Sequence, residues 1–263
     1  NQDSVATLTL DGSIEYDGSV CSPEGFKEYL DYAESEPRIK ALVLRVNSGG
    51  GVATAGEEMT QYLKDFSKPV VISSASMNAS AAYEISSQAD YIFVAHSTAI
   101  GSIGTAMTLT DLSGLYKMLG ISVDTIASAD SKDSTYGNRP WTEDERAFYQ
   151  EQVNQINDHF VNTVAEGRKR SLESGRALAT GLTFTGDQAV DNGLADKVGT
   201  MEDAVQYAAQ LAKLQTFEVV SLDPQYDRLD TLLSLMGARS DSDGYQNLAN
   251  ALKELENHDS ALR

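Results

Sequence analysis

Residues 41–51, ALVLRVNSGGG, join a nearly unbroken apolar run to three consecutive glycines. A branched, apolar run with so little alternation marks a strand buried on both faces, the habit of a parallel sheet covered by helices. Working outward, the same pattern returns. Upstream, residues 5–10 (VATLTL) read as a strand, followed by the turn-rich Asp11-Gly12 and Asp17-Gly18. Ser22-Pro23-Glu24 then opens a helix to about Glu34: Ser accepts an orphan N–H, Pro fits the first helical position, and Glu suits the positive end of the dipole. Downstream come an amphipathic helix over 54–66, a strand over 69–74 (PVVISS), a short helix over 79–88 and a strand over 91–95 (YIFVA). Strand and helix alternate three times in the first hundred residues, which predicts a parallel sheet with right-handed crossovers.

Further along, residues 112–119 read as a helix and 121–127 as a strand. Thr142-Glu143-Asp144-Glu145 is a capping box that opens a long helix to about Ser174, and Thr185-Gly186-Asp187-Gln188 is a second box. A helix follows over 201–214. After 216–220 the chain turns polar, with 240–244 (SDSDG) as a linker and a last helix over 245–257. The expected organisation is one α/β domain over 1–200 and a helical extension with a polar linker over 201–263.

The chain has 263 residues, long enough for a sizeable core, and its 41% hydrophobic and 22% charged residues are ordinary globular composition. A net charge of −19 with no run of Lys or Arg repels phosphate backbones, so nucleic acid is not an expected partner. The single cysteine, Cys21, forms no intrachain disulfide and no cysteine-based zinc site. No stretch reaches the roughly 18–20 apolar residues that span a bilayer. The sequence starts at Asn1 rather than Met, which leaves room for an upstream signal or anchor.

Sites in open α/β sheets gather where strands end and loops feed helices. Two junctions of this kind stand out. At Asn47-Ser48-Gly49-Gly50-Gly51 the glycines permit positive φ and bare N–H groups, able to hold a phosphate or a developing oxyanion; no Gly-Lys-Ser/Thr follows, so this is not a P-loop. The plainer account is a flexible turn. At Ser76-Met77-Asn78-Ala79-Ser80-Ala81-Ala82-Tyr83, small residues crowd Ser80, as a nucleophile on a tight turn requires. Taken alone, helix capping by Ser80 or Ser76 is the simpler account. Of the three histidines, His159 lies on an amphipathic helix and His258 in the polar tail, while His96 follows a strand end. Lysine is the alternative base, and Lys132, between Ser131 and Asp133, is the best candidate. With an unperturbed pKa of about 10.4 it must be desolvated to act, and its plainer account is a surface ammonium.

In combination, these pieces resemble the signal peptide peptidase A (SppA) family of Ser-Lys proteases, over about residues 5–200. The family's Ser-Pro-Gly-Gly-type turn appears as Asn47-Ser48-Gly49-Gly50-Gly51, its nucleophile motif as Ala79-Ser80-Ala81-Ala82-Tyr83, and its Gly-Ser-Ile-Gly element as Gly101-Ser102-Ile103-Gly104. Lys132-Asp133 precedes Pro140 and the box at 142–145, and residues 185–196 (TGDQAVDNGLAD) look like the closing segment. Each motif is weak alone, but five in order are not.

The resemblance implies a crotonase/ClpP-like fold, repeated β-β-α and βα units around a largely parallel sheet, with the helical tail appended. It implies a serine endopeptidase for signal-peptide remnants or other short apolar peptides, without metal or cofactor. Ser80 would be the nucleophile, Lys132 the general base and Ser102 the residue orienting the lysine amine. Gly50, Gly51 and Ala81 would donate the oxyanion-hole N–H groups. Gly49 stands where the family usually has Pro, which implies a looser loop; one good oxyanion donor is worth roughly 2.7–4 kcal/mol.

It further implies a homo-oligomer with Ser and Lys from neighbouring protomers, and anchoring in a bacterial cell membrane through an N-terminal segment, the protease lying on the extracytoplasmic side. The rival readings are a phage capsid maturation protease, an acyl-CoA enzyme of crotonase type and a non-catalytic scaffold on the same fold. The negative charge disfavours the phosphates of CoA.

Overall fold

A computed structural model describes residues 2–223. The elements are β1 (Ser4–Asp11), α1 (Pro23–Ser35), β2 (Ile39–Ser48), α2 (Ala53–Asp65), β3 (Val70–Ala79) and α3 (Ala81–Ser86). They continue as β4 (Tyr91–Val94), β5 (Ala99–Gly101), α4 (Ser113–Met118), α5 (Glu143–Gly167) and α6 (Leu172–Leu178). The last are β6 (Thr183–Phe184), α7 (Gly186–Asn192), β7 (Lys197–Val198), α8 (Met201–Leu211) and β8 (Glu218–Ser221). The expected helix caps are present: Ser22 accepts from the Gly25 N–H, and Thr142 and Thr185 form reciprocal capping boxes with Glu145 and Gln188.

The strands form one sheet in the order β6-β5-β3-β2-β1-β8, with β4 pairing β3 and β7 pairing β4. Every pairing is parallel except β5 with β6. The α/β class and the largely parallel sheet are therefore as expected. Strand β3 serves two neighbours in succession: Val71–Ser73 pair with β4, then Met77–Ala79 with β5. Between these stretches its register with β2 slips, from Val46 opposite Ser74 to Ser48 opposite Asn78. The slip takes up extra residues in β3 and brings its end, Ala79, alongside Gly101.

The unbroken apolar run of β2 follows from burial on both faces. Leu42, Leu44 and Val46 belong to a core with Phe26 and Leu30 of α1, Met59 and Leu63 of α2, and Ile85 of α3. Ala41 and Val43 belong to a second core with Val5, Val71 and Phe93, closed by Ala204, Val205, Ala208 and Ala209 of α8. One compact unit therefore runs through Leu222, past the end of the shared motifs at about residue 200. Helix α8 covers a sheet face, and β8 pairs in parallel with Ser4–Thr7 of β1. The linker and last helix read at 240–257 lie outside the described residues.

Two expectations are corrected. Residues 121–127 form no strand: they have no ladder partner among the described residues, and Ile121, Val123 and Ile126 are exposed. The long helix ends at Gly167 rather than near Ser174, because Lys169 takes a positive φ and α6 starts afresh on its own cap, Ser171. A β-carbon on Gly167 would stand 2.3 Å from the Ser87 carbonyl oxygen, so the end of α5 closes tightly on the chain that follows α3. No helix among the described residues is long and apolar enough to cross a membrane.

Candidate active site

The ends of β2 and β3 converge on one point. Gly50 has φ +94°, and a β-carbon built on it would stand 2.8 Å from both the Ser80 Cβ and the Ala81 nitrogen. Only glycine fits there, for reasons of space and of backbone angle. Gly51 is pinned from behind: the Ile14 N–H donates to the Gly50 carbonyl and the Val52 N–H to the Ile14 carbonyl, each at 2.9 Å. This leaves the Gly51 N–H with no partner among the described residues. The Gly50 N–H is occupied, donating to the Ser48 hydroxyl at 3.1 Å. The Ala81 N–H, first in α3, is an orphan donor of the helix start and finds no partner among the described residues.

Ser80 joins β3 to α3 at φ 54°, ψ −130°, a conformation costing of order 1–3 kcal/mol for a residue with a side chain. Its hydroxyl makes no capping bond, so the capping account of Ser80 does not hold. Ser76, the other capping candidate, lies within β3. The turn is held by the Ser80 N–H, which donates to the Gly101 carbonyl at 2.8 Å. Next to Gly101, Ser102 also has a positive φ, 49°, and its hydroxyl donates to the Gly181 carbonyl at 2.9 Å.

A cavity of about 560 Å³ opens here, lined by Gly51, Ser80, Ala81 and Ser102, with Ile156 and Phe160 of α5 as an apolar wall. The structure thus brings together Ser80, Ser102, Gly51 and Ala81, with Gly50 packed behind them. It does not bring Lys132 there. Lys132 is exposed, on a turn-rich stretch ahead of α5, and does not line the Ser80 cavity. That stretch is itself well held. Arg139 reaches the carboxylates of Asp133 at 2.7 Å and Glu145 at 2.8 Å, and the Trp141 indole donates to the Ser134 carbonyl at 2.8 Å. The Arg139 guanidinium holds the Glu145 carboxyl well below the usual carboxylate range, helped by the Thr142 N–H.

His96 does not line the cavity either; it is exposed and pairs with Asp187 at 2.7 Å. The closing segment has a structural task. The buried Tyr83 hydroxyl donates to the Leu194 carbonyl at 2.8 Å, and Asp196 accepts from the Ile92 N–H and pairs with Arg168. Burial pushes the Tyr83 phenol well up from its ordinary value. The nucleophile motif and the closing motif are therefore one packed unit, which fixes the helix that Ser80 starts.

Sequence reasoning missed Glu84 and Glu57, which also line the cavity. Glu84 is 4% exposed, and one of its oxygens is buried without a hydrogen-bond partner. Burial, then the charge of Glu57, pushes its pKa up to about 7, against a smaller pull from the Thr163 hydroxyl. The available signal was a carboxyl inside the otherwise apolar Ala81-Ala82-Tyr83-Glu84-Ile85, one helical turn from Ser80.

Comparison with known proteins places the chain in a family and a fold. A protein of Methanocaldococcus jannaschii named as a protease is 38% identical over 193 residues, 73% of this chain and 62% of that protein. Protease 4 of Haemophilus influenzae is 32% identical over 243 residues, 88% of this chain and 39% of that protein. The chain thus spans between about two fifths and three fifths of the length of these relatives.

Among solved structures, the S97A mutant of a membrane-bound stomatin-specific protease, 1510-N, superposes with TM-score 0.55 at 17% identity, over 86% of this chain and all of that one. ClpP1 of Listeria monocytogenes gives 0.53 at 15% identity, over 76% and 94%. These two establish the ClpP-like fold. The model of peptidase family S49 matches residues 62–215, a span that holds Ser80, Ser102 and Lys132. With the SppA-type motifs in order and the fold in place, the chain belongs to peptidase family S49.

Proposed function

We propose that the chain is a serine endopeptidase in which Ser80 is the nucleophile and Lys132 of a neighbouring copy is the general base. The observation that carries this reading is Ser80 itself: a strained strand-to-helix turn, a hydroxyl free of capping, and a cavity flanked by the unpartnered N–H groups of Gly51 and Ala81. A neutral lysine amine takes the Ser80 hydroxyl proton as Oγ attacks the scissile carbonyl. The oxyanion rests on the Gly51 and Ala81 N–H groups, while Gly50 keeps the loop against the turn. The protonated amine then gives its proton to the leaving nitrogen. Water, deprotonated by the same lysine, cleaves the acyl-enzyme.

A lysine exposed to water is protonated at neutral pH, so Lys132 must be buried to serve. The stretch ahead of it carries the means: Met107, Leu115, Met118, Leu119, Ile121 and Ile126 are all exposed. That much uncovered apolar surface suits an interface with a second copy, and covering it would dehydrate the lysine beside it. In that arrangement Ser102 orients the incoming amine. Substrates are extended, largely apolar peptides such as signal-peptide remnants, and an N-terminal anchor would place the enzyme at a cell membrane. An organophosphonate probe should label the wild-type chain on Ser80 alone, as mapped by mass spectrometry. Labelling elsewhere, or none, counts against the assignment.

A further inference from the structure

Behind the Ser80 cavity lies a smaller one of about 140 Å³, and Glu57 and Glu84 line both. The smaller cavity is polar and under-satisfied. Glu84 Oε1 and Thr60 Oγ1 are both buried without hydrogen-bond partners. Glu57 has no ion pair or hydrogen bond among the described residues. Among the described residues Lys64 is the one lysine or arginine on this wall, and its ammonium is held by Glu166 at 3.2 Å, with both side chains more than half exposed. His159, also exposed, completes the outer rim with Thr163. No Lys or Arg among the described residues lines the Ser80 cavity.

We propose that the Ser80 cavity and the acidic annex behind it form a pocket for a cationic side chain, lysine or arginine, on the acyl side of the bond that is cut. This deepens the serine-peptidase reading and rests on it. A buried carboxyl with one oxygen left unpartnered is costly, and it is relieved by a cation brought in with the substrate. The pocket has the right depth. Glu84 lies one turn of α3 below Ser80, a rise of about 5–6 Å, the reach of an extended lysine side chain running inward from a carbonyl at Ser80. The walls suit its stem, since Ala53, Ile156 and Phe160 give the methylenes an apolar path to the carboxyls. The two glutamates act as a pair: their mutual repulsion in the empty pocket becomes joint attraction once an ammonium or guanidinium sits between them. A carboxylate at the base of the primary pocket is how a serine protease selects cationic residues.

Two peptides test this, identical except for lysine or norleucine before the expected cut, titrated calorimetrically into the Ser80→Ala chain at pH 7.5 and low salt. The lysine peptide should bind at least tenfold more tightly, and adding Glu84→Gln should abolish the difference. Adding Glu57→Gln, at a partly exposed position, should reduce it, which keeps the test decisive if the buried substitution prevents folding. Equal binding, tighter binding of norleucine, or binding of neither peptide overturns the pocket. Cleavage by the wild-type chain is read separately. Discrimination in binding with no cleavage of either peptide contradicts the peptidase reading while the cation pocket stands; cleavage of both without discrimination does the reverse.

Discussion

Gly50 sits directly against Ser80: a β-carbon on the glycine would come within 2.8 Å of the serine's own. The contact joins the ends of two parallel strands, and it sets the distance between Ser80 and the loop that bears the Gly51 N–H. Gly50→Ala should therefore damage catalysis more than folding. The added methyl pushes Ala81 and Ser80 away from the loop and misaligns the Gly51 and Ala81 N–H groups proposed to hold the oxyanion, a fault worth about 100-fold or more in kcat. Steady-state kinetics beside a thermal melt checks this. An active Gly50→Ala chain would show that the loop takes no part in the reaction.

Glu84 makes stability depend on pH in an unusual direction. Its folded-state pKa of about 7 stands above the ordinary glutamate value of 4.5, so the native chain binds this proton more tightly than the unfolded chain does. Stability from this group is fully present below pH 4.5 and is lost as pH rises through 7, by about 3 kcal/mol in all. Glu84→Gln removes the penalty. The variant should gain stability over the wild-type chain at pH 8 and lose that advantage at pH 4, as denaturant melts at the two values would show. An advantage that is the same at both would mean that Glu84 does not titrate in this range.

Helix α8 and strand β8 should prove indispensable to the sheet. A chain ending at residue 200 uncovers Val5, Val43, Val71 and Phe93 on one sheet face. Each is worth roughly 1.5–3 kcal/mol when fully buried, together comparable with the roughly 5–15 kcal/mol by which a domain is stable. A chain ending at residue 222 keeps that cover. The longer chain should show a cooperative melt and the shorter one none; two similar melts would contradict the role given to α8.

The elements whose identity depends on local chemistry were legible in the sequence. Continuous apolar runs marked β2 and β3, and the Ser22, Thr142 and Thr185 caps placed three helix starts. Two failures share a cause. Residues 121–127 have the β-branched composition of a strand, but a strand needs a ladder partner, and none is near. The end of α5 depends on how closely Gly167 approaches the Ser87 carbonyl, a contact between residues 80 apart. At the site, the glycine turn and the nucleophile motif were legible as separate pieces, and their packing was not. N-cap preference alone favoured Ser80 or Ser76 as the cap of α3, whereas Ser80 makes no side-chain capping bond and Ser76 lies within β3. Glu84 stayed hidden because its significance lies in a cavity, and spacing along the chain gives no view of one.

In the reaction proposed for this chain, Ser80 and Lys132 act together across an interface between copies. The most direct test is hydrolysis of a fluorogenic peptide by the wild-type chain, by Ser80→Ala, by Lys132→Ala, and by the two variants refolded together. Each variant alone should lose activity by about 1,000-fold or more. The mixture should recover activity, because random co-assembly through a heterologous interface pairs an intact serine with an intact lysine at about a quarter of the interfaces. Variants as active as the wild-type chain would refute the dyad. Two dead variants whose mixture stays dead would contradict the shared site.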